Sequence, residues 1–113
     1  MNSIQVSERH LEMSDAYMRD AHYGGLSPRG RFDATFDGGY FALLSVLTDE
    51  ERRGHEHPSP RVVEIACRRL DLDSEPGVFL QGRRYSGDEL PPLAVVLAWA
   101  ENVRARVREL GIK

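Results

Sequence analysis

The residues best equipped for chemistry lie in one charged stretch, Glu50-Glu51-Arg52-Arg53-Gly54-His55-Glu56-His57. A histidine can move the proton of a ribose 2′-hydroxyl near neutral pH, and a guanidinium can stabilise charge on the adjoining phosphate. Arg52 and His57, with four residues between them, are therefore the candidate pair for metal-independent cleavage of RNA. Spacing alone is a weak warrant, because a loop this rich in arginine and histidine yields such a pair by chance, and the plain reading is a solvated loop. His55 and His57 form an H-x-H, yet no third and fourth ligand follow at the spacing of a zinc site, and His10 and His22 belong to a different helical segment. Asp71, Asp73 and Glu75 begin like a calcium loop, which then fails at Pro76, where glycine is needed, and at Gly82, where a bidentate glutamate belongs. Neither a metal nor a cofactor is expected. The remaining candidates are His55 and the pair Arg84-Tyr85, which with Arg83 is suited to a ribose-phosphate contact; against this stands a solvated turn with Tyr85 packed under the last helix. Cys67, the single cysteine, sits in a helical pattern between Ala66 and Arg68 and reads as a packed small side chain rather than a nucleophile.

The elements that must hold these residues are helical. In the longest apolar run, Arg31 to Leu47, Phe32, Phe36, Gly39, Leu43 and Leu47 recur at helical steps. Tyr40, Phe41 and Leu44 lie off that face, so the helix is apolar around much of its girth and belongs at the centre of a bundle or in a dimer seam. Ser27-Pro28 marks its start. Gly38 and Gly39 each cost about 1 kcal/mol against alanine in a helix interior, which close approach of a neighbouring helix would offset. An earlier helix runs from a Ser7 cap to about His22, with Leu11, Ser14, Met18 and Ala21 inward and Tyr17 alongside; the short loop after it makes the first two helices antiparallel neighbours. Past Leu47 comes a charged loop with one turn boxed by Thr48 and Glu51, and then Ser59-Pro60 opens a third helix with Val62, Ile65, Ala66 and Leu70 inward. Asp71 to Gly87, interrupted by Pro76, Gly77, Gly82 and Gly87, reads as a long connection anchored by Val78-Phe79-Leu80. The last helix runs from about Glu89 to Leu110 on a seam of Leu93, Leu97, Ala100, Val103, Val107 and Leu110, with Trp99 off the seam at the core edge or facing a partner.

These patterns give an all-α domain spanning residues 1–113, core about 7–110, most simply an up-down-up-down four-helix bundle. The surplus apolar girth of the second helix and the position of Trp99 point to a symmetric homodimer. The N-terminus lacks a basic region followed by an apolar core, and no segment has the roughly 18 apolar residues of a membrane span, so a cytoplasmic location without membrane contact is expected. A formal net charge of −3 argues against broad electrostatic binding of nucleic acid.

The order of elements resembles the HEPN (higher eukaryotes and prokaryotes nucleotide-binding) domain from about Ser7 to Arg108. The first helix carries DAYMRDA, the second FDATFDGGYFALLSVL, a His-Pro loop precedes the third, Arg84-Tyr85 follows the connection, and LAVVLAWAENV forms the last. The resemblance implies an up-down four-helix bundle that dimerises. Some family members are ribonucleases of toxin systems paired with a minimal nucleotidyltransferase, and others are non-catalytic binding modules. The ribonuclease members place a histidine about four to six residues after an arginine at the start of the last helix. Here that place reads Arg84-Tyr85-Ser86-Gly87-Asp88-Glu89-Leu90, without histidine, and the Arg52 to His57 pair lies before the third helix instead. A resemblance lacking that histidine implies a non-catalytic HEPN-like module that acts through dimerisation and binding of a protein or nucleotide partner, with RNA not favoured. The alternative is a metal-independent endoribonuclease of a toxin-antitoxin system using Arg52 and His57.

Overall fold

The structure, a computed structural model, describes residues 5–53, 58–86 and 89–111. These are all-helical: α1 (Glu8–Ala21), α2 (Pro28–Leu44), α3 (Asp49–Arg53), α4 (Pro60–Arg69), α5 (Glu75–Arg84) and α6 (Leu93–Gly111). Serine hydroxyls start three of them. Ser7 accepts from the His10 amide, Ser27 from the Gly30 amide and Ser59 from the Val62 amide, and Pro28 and Pro60 occupy first-turn positions where no amide hydrogen is required. The expected box before α3 is present, with the Thr48 amide on Glu51 Oε1 at 2.8 Å and the Glu51 amide on Thr48 Oγ1 at 3.1 Å.

The apolar girth of α2 is explained within one chain, because α1, α4, α5 and α6 all pack on it. α1 lies antiparallel to it. The Ser7 amide donates to Ser45 O, Ser14 Oγ to Gly38 O at 2.6 Å, and Arg31 Nε to Ala21 O at 3.0 Å, which pairs start with end along the two helices. The glycine pair is where neighbours come closest: a Cβ on Gly38 would stand 2.6 Å from the Met18 sulfur, and one on Gly39 would stand 2.3 Å from the Trp99 ring. Phe36 stacks on that indole with centroids 5.4 Å apart. Phe32, Phe36 and Leu43 of α2, Val62, Val63 and Cys67 of α4, and Val96, Val103 and Val107 of α6 are the buried centre.

Several expectations are corrected. Trp99 is a core residue, wedged between the Gly39 backbone of α2 and that of Gly77 in α5, so it neither caps an edge nor awaits a partner. The stretch read as a connection contains α5: Pro76 sits in its first turn, Gly77 fits where a Cβ would meet Val63 at 2.7 Å, and only residues 70–74 link the helices. Asp71 takes the left-handed backbone conformation (φ 58°) in a Schellman turn, with the Leu72 amide on Cys67 O and the Asp71 amide on Arg68 O. Phe79 of the expected anchor is exposed, and Leu80 alone of the three is fully buried. Pro91 and Pro92 precede the last helix, which begins at Leu93 instead of Glu89. Ile65, Leu97 and Leu110 are only partly buried.

The direction of the last helix also differs from that expected. Trp99 lies level with Phe36 and Gly39 midway along α2, while Arg108 shares a groove with Arg19 and His22 at the far end of α1. α6 therefore runs with α1 and against α2. In an up-down-up-down bundle of four, the last helix would oppose the first; here α5 also runs against α2, from Gly77 level with Trp99 to the Arg83 and Arg84 carbonyls at Arg29, so α5 and α6 point the same way.

Candidate ligand cleft

The functional candidates are best traced from the C-terminal end of α2, which leaves carbonyls without intrahelical partners. The chain tightens there, with the Val46 and Leu47 amides bonding three residues back, and Val46 and Leu47 stay buried. Each open carbonyl has a partner. Arg52 Nη1 donates to Leu44 O at 2.7 Å and Leu47 O at 2.6 Å, the Ser7 amide serves Ser45 O, and Arg69 Nη1 donates to Val46 O at 2.8 Å. Arg52 Nη2 pairs with Asp49 Oδ1 at 2.6 Å, and Arg69 is gripped by both oxygens of Glu51 at 2.7 and 2.9 Å. Cationic donors at a negative helix end are well placed. Arg52, the candidate catalytic arginine, is thus a helix-terminating residue whose charge is matched by Asp49. Its proposed partner His57, and the binding candidate His55, lie outside the described residues.

Arg84 is committed in the same way. Its Nε and Nη2 reach Asp37 at 3.1 and 3.2 Å, and Nη1 lies 3.5 Å from Asp33. Arg29 closes the network: its Nε is 3.1 Å from Asp33 Oδ1, and its Nη2 donates to Arg84 O at 2.5 Å, capping α5 as Arg52 caps α2. Asp33 Oδ1 is buried and within ion-pair distance of both arginines, yet no proton is aimed at it. Burial pushes the Asp37 carboxyl above its usual range, and the Arg84 hydrogen bond only partly opposes that. Tyr85, expected under the last helix, is instead half exposed, with the Arg84 guanidinium 4.8 Å over its ring.

Arg52 and Tyr85 do meet at one feature, a cleft of about 390 Å³ bounded by α1, α2, α3 and the residues flanking α4 and α5. Its walls are aromatic. Phe41 lies between His10 (centroids 6.2 Å apart) and Tyr17 (5.3 Å) with the rings within about 24° of parallel, and Tyr40 and Tyr85 complete the lining with Leu44 and Pro58. Among the described residues Asp37 is the carboxylate at this surface. The Tyr40 oxygen accepts from the Ser59 amide at 3.2 Å, so its own proton is left to donate, and burial raises the phenol to about 12. Ser7 Oγ, which accepts the His10 amide, lies 2.7 Å from His10 Nδ1; donation of its proton there leaves the neutral ring protonated on Nε2. Burial first, then the charges of Arg52 and Arg9, lowers the His10 pKa, so the imidazole is neutral at pH 7.

His10, Tyr17, Asp37 and Tyr40 were not among the sequence candidates. The available signal was Asp37, Tyr40 and Phe41 at helical spacing on one side of α2, matched by His10 and Tyr17 two turns apart on α1. Elsewhere, Cys67 is buried, with its thiol pushed up by desolvation to about 11, which removes it as a nucleophile. Among the described residues no group of three or more His, Cys, Asp or Glu side chains could hold a metal ion, and no helix is long and apolar enough to cross a membrane. In comparisons with family models, curated proteins and solved structures, nothing matches this chain.

Proposed function

We propose that the protein is a non-catalytic, HEPN-like helical module that binds a partner at the cleft between α1 and α2. The observation that carries this reading is the commitment of both candidate arginines: Arg52 holds carbonyls of α2 and Asp49, and Arg84 holds Asp37 and Asp33. A phosphoryl-stabilising arginine has to meet charge that develops in the transition state, and these two guanidiniums already face structural acceptors. The cleft, by contrast, has the size and the aromatic walls with a few polar groups of a ligand site.

Homodimerisation, a nucleotidyltransferase partner and a cytoplasmic setting rest on the family resemblance and the sequence, since the girth of α2 and the position of Trp99 are both accounted for inside one chain. Light scattering at micromolar concentration tests the dimer, which requires twice the chain mass.

The test of the functional reading is incubation of the purified protein with total RNA in chelator, beside the His57→Ala and Arg52→Lys variants. The expected result is no cleavage by any of them. Cleavage by the wild type that is lost in His57→Ala would overturn the non-catalytic reading and establish the metal-independent ribonuclease.

A further inference from the structure

We infer that the cleft takes an uncharged planar heterocycle that presents two adjacent N–H donors, as the guanine and pterin rings do, and that the ring rather than any phosphate is what it recognises. This inference rests on the cleft being the binding site. A volume of about 390 Å³ holds a bicyclic ring with a sugar-sized substituent and is too small for a folded partner's element. The stacked rings of His10, Phe41 and Tyr17 give the cleft an apolar aromatic wall, and Arg84 lies over one face of the half-exposed Tyr85 ring, whose other face can take a planar ligand.

The polar groups define the edge that such a ring must offer. Asp37 accepts one hydrogen bond from Arg84 on each oxygen, and a carboxylate has roughly four acceptor sites, so each oxygen can take a second donor. Arg84 also fixes the plane of the carboxylate, which is the geometry a paired-donor edge needs. The Tyr40 hydroxyl supplies a donor for a ring acceptor, and the Nε2 of His10 is left without the Ser7 contact that Nδ1 makes. Charge decides against phosphate. Arg52 is balanced by Asp49, Arg84 by Asp37, and Arg29 by Asp33, so among the described residues no unbalanced cation lines the cleft for an anion to neutralise.

Calorimetric titration of the full chain with guanosine, adenosine and GMP tests this. Saturable guanosine binding is expected, with GMP no tighter than guanosine and adenosine weaker, because adenine lacks the paired donors. Tyr85→Ala, a substitution at a half-exposed ring, should weaken guanosine about tenfold through lost stacking, and Asp37→Asn should weaken it by a similar factor. Tyr85→Ala guards against the case in which Asp37→Asn disturbs the fold. The inference fails if guanosine does not saturate at millimolar concentration, if GMP binds and guanosine does not, if adenosine binds equally well, or if folded Tyr85→Ala binds as the wild type does. Any of these leaves the absence of catalysis as it stands, since that is decided by the RNA-cleavage test and not by guanosine binding.

Discussion

Replacing Glu51 by glutamine removes one negative charge from the junction of α2, α3 and α4 and little else. The amide oxygen can still accept from the Thr48 amide, as glutamine does in a capping box, whereas the paired charge on Arg69 is lost. The hydrogen bonds from Arg69, joined by that of the Thr48 amide, hold the Glu51 carboxyl at about 2, below its ordinary 4.5. Realised in full, that difference is about 3.4 kcal/mol at neutral pH. The carboxylate side chain is 27% exposed and solvent screens the pair, so the expected contribution is about 1–2 kcal/mol. A carboxyl lowered by folding stabilises the protein above its unfolded value, and the stabilisation is lost as pH falls from 4.5 toward 2. Urea denaturation should therefore show Glu51→Gln about 1–2 kcal/mol less stable than the wild type at pH 7, with under about half of the gap left at pH 3 and little at pH 2, where the folded wild-type carboxyl is itself about half protonated. Asp37, raised by burial, contributes the opposite slope to both proteins and cancels from the comparison. A gap that is absent at pH 7, or that persists undiminished at pH 3, would refute the assignment of Glu51 as the holder of Arg69.

Other outcomes turn on single contacts. Gly39→Ala should lose about 1–3 kcal/mol in urea denaturation because its Cβ meets the Trp99 ring, whereas Gly82→Ala, with nothing within 4 Å, should gain about 0.5–1 kcal/mol; equal effects at the two sites would contradict the packing at Trp99. Arg52→Ala should lower stability by about 2–3 kcal/mol in thermal or chemical denaturation, since Leu44 and Leu47 carbonyls lose a charged donor, and an unchanged stability would show that Arg52 is free for another role. Cys67 should resist iodoacetamide at pH 8 in the native protein and react readily in urea; prompt native labelling would contradict its burial and its thiol at about 11.

What the sequence made legible was local, and the helix starts show why. A serine before a proline specifies both a side-chain acceptor and a first-turn residue without an amide proton, and Ser27-Pro28 and Ser59-Pro60 begin helices as that chemistry requires. The same grammar was present at Asp73-Ser74-Glu75-Pro76 and was outweighed by the glycines after it. There the Glu75 amide bonds Asp73 Oδ1, and Gly77 belongs to the helix because Val63 and Trp99 take the space of its side chain. A glycine in a helix interior has two readings, break or close contact, and only the position of the neighbour separates them. For Gly38-Gly39 the surrounding apolar period favoured contact; around Gly77 and Gly82 no such period was strong enough, so α5 was missed.

The candidate site was less legible because arginine's chemistry does not distinguish its employers. A guanidinium suited to a phosphate is equally suited to a helix carboxyl end, and both readings predict an arginine in a charged turn. What separates them is whether unpartnered carbonyls or carboxylates already stand in reach. At Leu44, Val46 and Leu47 they do, taken by Arg52 and Arg69; at Arg83 and Arg84 they do, taken by Arg29; and Arg84 meets Asp37 and Asp33. None of these acceptors is near its arginine by sequence rule except the α2 end, eight or fewer residues before Arg52. Once the arginines are placed, the described side chains left to face the cleft are His10, an aromatic wall and a carboxylate held in plane, the set on which the inferred binding of a planar ring rests.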